Sequence, residues 1–301
     1  MSYIIVKNYF NVYKIISKLV VFVHFYGILI IVYLGGINME KTSFANLKRF
    51  NMIMGAMHLI QGLLMLILSA TVIQKISEFK PMITQIYIAY NPVTQTLEAQ
   101  SKNLFELPFG ILVALFLLLS AAAHAIISLP KKTNAIYNAD LEKGMNRFRW
   151  YEYALSSSIM IVLISTLFGI YDIGSLILIF VVNASMNLFG LLMEQINSGK
   201  EKKDIKWGAF IFGSIAGLAP WVVIILYMIG NGNYDMVPWF VWAIIGTYFV
   251  AFNTFPINMI LQYKGVGKWK NYLYGERVYI ILSLVAKTAL AWLVLFGAMQ
   301  P

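Results

Sequence analysis

Lys287 stands in the middle of ILSLVAKTALAW, residues 281–292, a run otherwise suited to the interior of a membrane. An ammonium at the centre of a bilayer costs about 2.5–3.5 kcal/mol even on the gentlest insertion scale. The lysine must therefore face a group of opposite charge, or it is not a free amine in the working protein. Helical spacing supplies candidate companions. Ser283 lies one turn before Lys287 on the same face. In FRWYEYALSSS, Arg149, Glu152 and Ser156 fall at i, i+3 and i+7, again on one face. Ser120 and His124 are four apart in a second apolar run, and His58 lies in a third. Each has a plainer reading. Glu152, among Trp150, Tyr151 and Tyr153, is equally an interfacial residue paired with Arg149. The two histidines are equally hydrogen-bonding residues between neighbouring helices, and serines are common where helices pack. Glu194, near the end of its run, reads as a boundary residue.

A desolvated lysine is left partly as neutral amine, which can attack an aldehyde to form a Schiff base. Protonated, that iminium is a cation and needs a counterion; Glu152 is the intramembrane carboxylate suitably placed to provide it. A pocket between helices, lined by residues such as Tyr153, Trp221, Phe249 and Phe252, suits a long apolar aldehyde. Retinal answers that description.

The elements that must position these residues follow from composition. Of 301 residues, 60% are hydrophobic and 12% charged, and the mean hydropathy is +0.73, which excludes an ordinary water-soluble domain. Apolar runs of about 18 to 25 residues match a helix crossing ~30 Å of hydrocarbon, whereas barrel strands would be half as long and would alternate. The runs predict an all-α bundle of seven spans near 50–74, 106–129, 146–171, 173–196, 205–230, 236–263 and 272–299. With no cysteine and three histidines, disulfides, thiolate metal sites and multi-histidine metal sites are not expected. The net charge of +10 reads as loop charge and not as a nucleic-acid surface.

That charge is one-sided. Sixteen basic residues, among them Lys131, Lys143, Arg147, Arg149, Lys202 and Lys270, fall at one end of the seven spans, against Lys75, Lys80 and Lys102 at the other. The positive-inside rule makes the first end cytoplasmic, so the first span starts inside and the C-terminus lies outside a cell membrane crossed seven times. The lysine, glutamate, serine and histidine candidates then share the cytoplasmic half. Glu152 sits roughly 5 to 10 Å nearer the cytoplasm than Lys287, a gap that side chains leaning toward the helix N-terminus reduce.

The first outward loop, 75–105, contains TQIYIAYNPVTQTLEAQ, whose alternation around Asn-Pro predicts a short hairpin. Residues 1–38 include VVFVHFYGILIIVYLGG, which fits neither an eighth span by charge nor a signal peptide by cleavage site. Translation starting at Met39 is the expectation, with 39–301 as the seven-helix domain.

Seven spans with a mid-helix lysine in the last resemble a microbial-type rhodopsin. The stretches RWYEYALSSS and YGERVYIILSLVAKTALAW, with the inverted orientation, resemble a heliorhodopsin over residues 39–301. The resemblance implies that Lys287 carries all-trans retinal covalently, that Glu152 is the counterion and that Arg149 flanks it. It further implies that Ser120, Ser156, Ser283, His58 and His124 line a water-containing cytoplasmic cavity, and that a homodimer forms with the first outward loop taking part. Ordinary outward proton pumps carry carboxylates where this chain has Ser283 and Leu163; neither residue can hold or resupply a proton at neutral pH. The reading is a light sensor that passes a conformational change to a signalling partner, not an enzyme. The alternatives are a light-gated proton conductor using His58, His124 and Glu152, and a transporter or multi-pass enzyme in which Lys287 binds an anion.

Overall fold

The computed structural model describes residues 43–70, 81–230, 232, 237 and 239–298. The extension 1–38, the Met39 start, the end of the expected first span (71–74), the first part of the expected outward loop (75–80) and residues 299–301 lie outside the described residues.

Among the described residues, eight α-helices and one two-stranded sheet follow in order: α1 (Phe44–Leu68), β1 (Met82–Asn91), β2 (Thr96–Glu106), α2 (Phe109–Ser128), α3 (Lys131–Glu142), α4 (Arg147–Leu167), α5 (Ile173–Asn197), α6 (Gly208–Gly230), α7 (Trp239–Lys264) and α8 (Tyr272–Ala298). All but α3 are long and apolar enough to cross a membrane, which matches the seven expected spans. The starts are set by local chemistry. Ser43, Asn146 and Asp172 cap α1, α4 and α5 by accepting from the amides of Asn46, Arg149 and Ser175. Pro220 in α6 and Pro256 in α7 each remove one backbone donor within a helix.

Two features depart from an all-α reading with bare loops. The loop expected at 131–149 is largely the helix α3, entered from Pro130 and followed by a turn through Gly144 at φ +70. The expected hairpin forms and is longer than its motif, with β1 and β2 antiparallel and a bulge at Ile83/Thr84. Its turn is held by Glu98, whose carboxylate accepts from Asn91 Nδ2 at 2.9 Å and Thr94 Oγ1 at 2.6 Å; these bonds hold its carboxyl below the usual range. The hairpin docks on the α4–α5 turn: Thr84 N donates to Tyr171 O at 2.9 Å, and Ile86 N to Asp172 Oδ1 at 3.2 Å.

Helix packing closes the bundle. α1 lies on α2, α2 on α4, α4 on α5, α5 on α6, α7 on α8, and α8 back on α1 and α2. The face of Trp221 in α6 meets Tyr248 and Phe252 of α7 at ring-centroid distances of 5.5 and 5.8 Å. The close approach of α1 to α2 needs Gly55, where an added Cβ would sit 2.7 Å from His124 Cβ. The core near the hairpin end is apolar, built from Phe116, Ile161, Leu163, Ile164 and Ala291. The buried polar groups described next lie toward the α3 end.

Candidate functional site

Lys287 on α8 is 4% exposed, and its ammonium is met from two sides. Nζ lies 2.6 Å from Glu152 Oε1 on α4 and 2.6 Å from Ser120 Oγ on α2. Ser120 also donates to Glu152 Oε1 at 2.7 Å, closing a triangle of three side chains from three helices. Nζ lies 5.2 Å from the centre of the Tyr153 ring. Burying both charges costs several kcal/mol each, and close pairing with added hydrogen bonds is what offsets it. The difference in depth between Glu152 and Lys287 is thus spanned by the length of the lysine side chain.

Around this triangle the other expected residues fall into groups. Ser156 is fully buried one turn beyond Glu152. His58 and His124 stack with ring centroids 5.7 Å apart and planes inclined by 16°. Both ring nitrogens of His58 are buried without a hydrogen-bond partner among the described residues. Ser283, one turn from Lys287, is buried and faces a cavity.

The cavity has a volume of about 430 Å³ between α4, α5, α6, α7 and α8. That is within the ~300–1,000 Å³ of pockets for drug-sized ligands. Lys287, Ser283 and Tyr153 stand on its wall with Phe252, Met186 and Pro256. A Cβ at Gly217 would lie 2.6 Å from Met186 Sδ, so the small residue on α6 keeps this wall close-fitting. Trp221 is buried behind Phe252 and Tyr248 and is not on the wall. Phe249 is half exposed on the outside of α7, and its ring meets the Trp221 ring at 5.4 Å. It is placed outside the pocket because neighbouring Tyr248 and Phe252 occupy the inward face of α7.

Arg149 does not flank Glu152. Its guanidinium is held by Glu194 of α5 and Glu276 of α8, and lies over the Tyr279 ring at 4.0 Å. Glu194 is 1% exposed, so it is not a boundary residue: its Oε2 accepts from Trp150 Nε1 at 2.6 Å and Asn146 N at 2.9 Å, and its Oε1 from the Tyr272 hydroxyl at 3.0 Å. Glu276, equally buried, accepts from Asn146 Nδ2 at 2.7 Å and the Tyr137 hydroxyl at 3.1 Å. Sequence reasoning missed both carboxylates as members of a site, although a signal was present. Glu276 precedes Lys287 by eleven residues, about three turns, on the same face. Asn183, Asn187 and Glu194 form a polar stripe along one face of an apolar helix; the two asparagines both donate to Ser157 Oγ, at 2.8 and 2.9 Å.

Seven membrane-length helices enclosing an apolar cavity, with a buried lysine–carboxylate pair on its wall, define a polytopic membrane protein built to hold an apolar ligand beside a compensated cation. The heliorhodopsin family model matches residues 47–299, most of the chain, and the chain belongs to that family. Heliorhodopsins are rhodopsin-type photoreceptors of the membrane with a retinal chromophore. No curated protein matches the chain.

The residues present fit such a chromophore. The cavity is of sufficient volume, its wall is mainly apolar and aromatic, and the one primary amine on that wall has its charge compensated.

Proposed function

We propose that this protein binds all-trans retinal covalently through Lys287 Nζ, with Glu152 as counterion, and works as a light sensor in the cell membrane. The carrying observation is the 2.6 Å contact between Lys287 Nζ and Glu152 Oε1 at the wall of an apolar cavity. When bound, retinal supplies visible absorption and a light-driven isomerisation. The chain's own residues do the rest. Glu152 holds a negative charge next to Nζ, Ser120 fixes the geometry between them, and Tyr153, Phe252 and Met186 exclude water from the apolar part of the cavity. His58 and His124, stacked on the α3 side, are bases available to take up a proton displaced from the pair.

Sensing is favoured over pumping by what surrounds the pair. Ser283 and Leu163 offer no second carboxylate, and Leu163 is fully buried in the apolar core. We further assign the α3 end to the cytoplasm, with the chain entering its first span from inside and its C-terminus outside. Among the described residues the basic side chains concentrate at that end, whereas the hairpin end carries Lys102. The outward hairpin exposes Ile88, Val93 and Leu97, which suits contact with a second copy in a homodimer. Residues 39–301 form the photoreceptor domain in this reading, and a separate protein receives the signal.

The test is pigment formation. Membranes containing the protein are supplied with retinal, and the visible band is bleached with hydroxylamine. A band that bleaches in the wild type and is missing in Lys287→Ala supports the proposal. A colourless wild type, or a band that survives in Lys287→Ala, contradicts it. Photocurrents under voltage clamp, expected to be absent, separate sensing from the light-gated conductor that the two histidines would otherwise serve.

A further inference from the structure

A chain of hydrogen bonds runs to the Arg149 group from His124, which stands one helical turn from Ser120 of the Lys287 triangle. His124 Nδ1 lies 2.8 Å from Asn51 Oδ1. Asn51 Nδ2 donates to the Leu47 carbonyl at 3.0 Å and to the Tyr137 hydroxyl at 3.2 Å. A carbonyl can only accept, so the Leu47 contact fixes the orientation of the amide and leaves Oδ1 facing His124. His124 therefore donates through Nδ1 and keeps Nε2 as its acceptor nitrogen. Tyr137 donates onward to Glu276 Oε1 at 3.1 Å, and Glu276 is bound to Arg149. Burial, with the Glu276 carboxyl beside it, pushes the Tyr137 hydroxyl well above the ordinary phenol range, so it stays a donor.

One link in this chain differs from the rest. His124, Asn51 and Glu276 stand on membrane-length helices, whereas Tyr137 comes from α3, the short polar helix outside the spans. Its side chain is 1% exposed and inserted among Leu47 and Phe50 of α1, Ile127 of α2, and Ile280 and Leu284 of α8. α3 is thus keyed into the bundle by the same ring that carries the hydrogen bonds, while Lys132, Ala135 and Ala139 on its other faces are exposed.

We propose that Tyr137 is a positioning residue that couples α3 to the Lys287 cluster, making α3 the surface element that moves when light changes the charge beside His124. The inference rests on the retinal reading above. A charge gained or lost near His124 alters its bond to Asn51 Oδ1, and the fixed amide passes the change to the Tyr137 hydroxyl. Glu276 cannot follow, because Arg149 and Asn146 hold it. The other links belong to membrane-length helices of the bundle, so the displacement is taken up by α3.

The chain contains no cysteine, so a single spin label at Ala135→Cys or Ala139→Cys reports α3 alone. The retinal-loaded full-length protein is illuminated, and the light-minus-dark spectrum is recorded beside the visible absorption. The expected result is a light-induced change in the labelled wild-type background. In Tyr137→Phe the absorption maximum should be unchanged, while the spectral change falls roughly fivefold, the equivalent of about one hydrogen bond. Asn51→Leu, which cuts the chain one link earlier, should reduce it likewise and covers the case in which the tyrosine variant fails to fold. A pigment that bleaches normally with no light-induced change at α3 overturns the coupling and leaves the retinal reading intact. A change of full amplitude in Tyr137→Phe or Asn51→Leu also overturns it. If no pigment forms, the coupling falls together with the reading it rests on.

Discussion

The bundle holds two buried charged groups, and they are built on opposite principles. Lys287 and Glu152 balance one charge against one, with Ser120 bridging them and a cavity on one side. Arg149 faces two carboxylates, Glu194 and Glu276, leaving one excess negative charge on simple counting. That excess is spread over neutral donors: the Tyr137 and Tyr272 hydroxyls, the Asn146 amides and the Trp150 indole. The Trp150 ring is itself locked against Gly190, where no Cβ would fit. A group so heavily cross-linked is suited to fixing helices, since Glu194 accepts four hydrogen bonds and Glu276 three. A group with one bridging hydroxyl and a cavity beside it is suited to changing its charge.

If that contrast is sound, variants of the Arg149 group should alter stability and leave the colour in place. Arg149→Gln leaves two buried carboxylates facing each other and should cost about 3–5 kcal/mol, seen as a large fall in the thermal midpoint with little displacement of the pigment band. A large band displacement with unchanged stability would reverse the roles of the two groups. Glu152→Gln should change the colour that Arg149→Gln leaves in place. It removes the charge that stabilises the ground state of the bound cation, so the band moves to longer wavelength; stripping the counterion also costs about 3 kcal/mol in the retinal-free protein. Ser120→Ala removes the bridging hydroxyl with its two charge-assisted contacts, to Glu152 Oε1 and Lys287 Nζ, expected to cost about 2 kcal/mol and to shift the band in the same direction by less. Equal shifts in Ser120→Ala and Glu152→Gln would mean that the serine does more than bridge.

The smallest effect is expected far from both groups, at Asp172. Hydrogen bonds from the Ser175 and Ile86 amides hold its carboxyl below the usual range. A carboxyl depressed by folding stabilises the protein above its unfolded pKa and loses that contribution as pH falls through the folded value. Docking of the hairpin should therefore be constant at neutral pH and loosen only in acid below about pH 4. Asp172→Ala, which removes both acceptors, should cost about 1 kcal/mol and speed hydrogen exchange at Thr84 and Ile86 without touching the colour.

How much of this was legible in the sequence depends on what each residue stands against. A lysine or glutamate in an apolar run is conspicuous because its transfer cost is large, and Lys287, Glu152 and Ser120 meet in one triangle. The seven helices follow their hydropathy, with ends differing by a few residues where caps such as Ser43 and Asn146 set the start. Depth near a helix end was not legible. Glu194 and Glu276 sit within a few turns of polar loops, where periodicity cannot tell a solvated carboxylate from one captured by a guanidinium. The resemblance implied that Arg149 flanks Glu152, and the spacing put both on one face, yet its guanidinium is held by two carboxylates from other helices. The helix α3 went unseen because KKTNAIYNADLE is polar; its single inserted ring, Tyr137, is a tertiary fact. Phe249 failed as a pocket residue because aromatic type alone does not fix which face of α7 turns inward.

The central claim is a covalent bond at one atom. Borohydride reduction of the illuminated or dark pigment, followed by proteolysis and mass spectrometry, locates that bond without reference to colour or fold. The retinyl mass should appear on the peptide containing Lys287 and on no other. Its absence there, or its presence on a different lysine, would contradict the account.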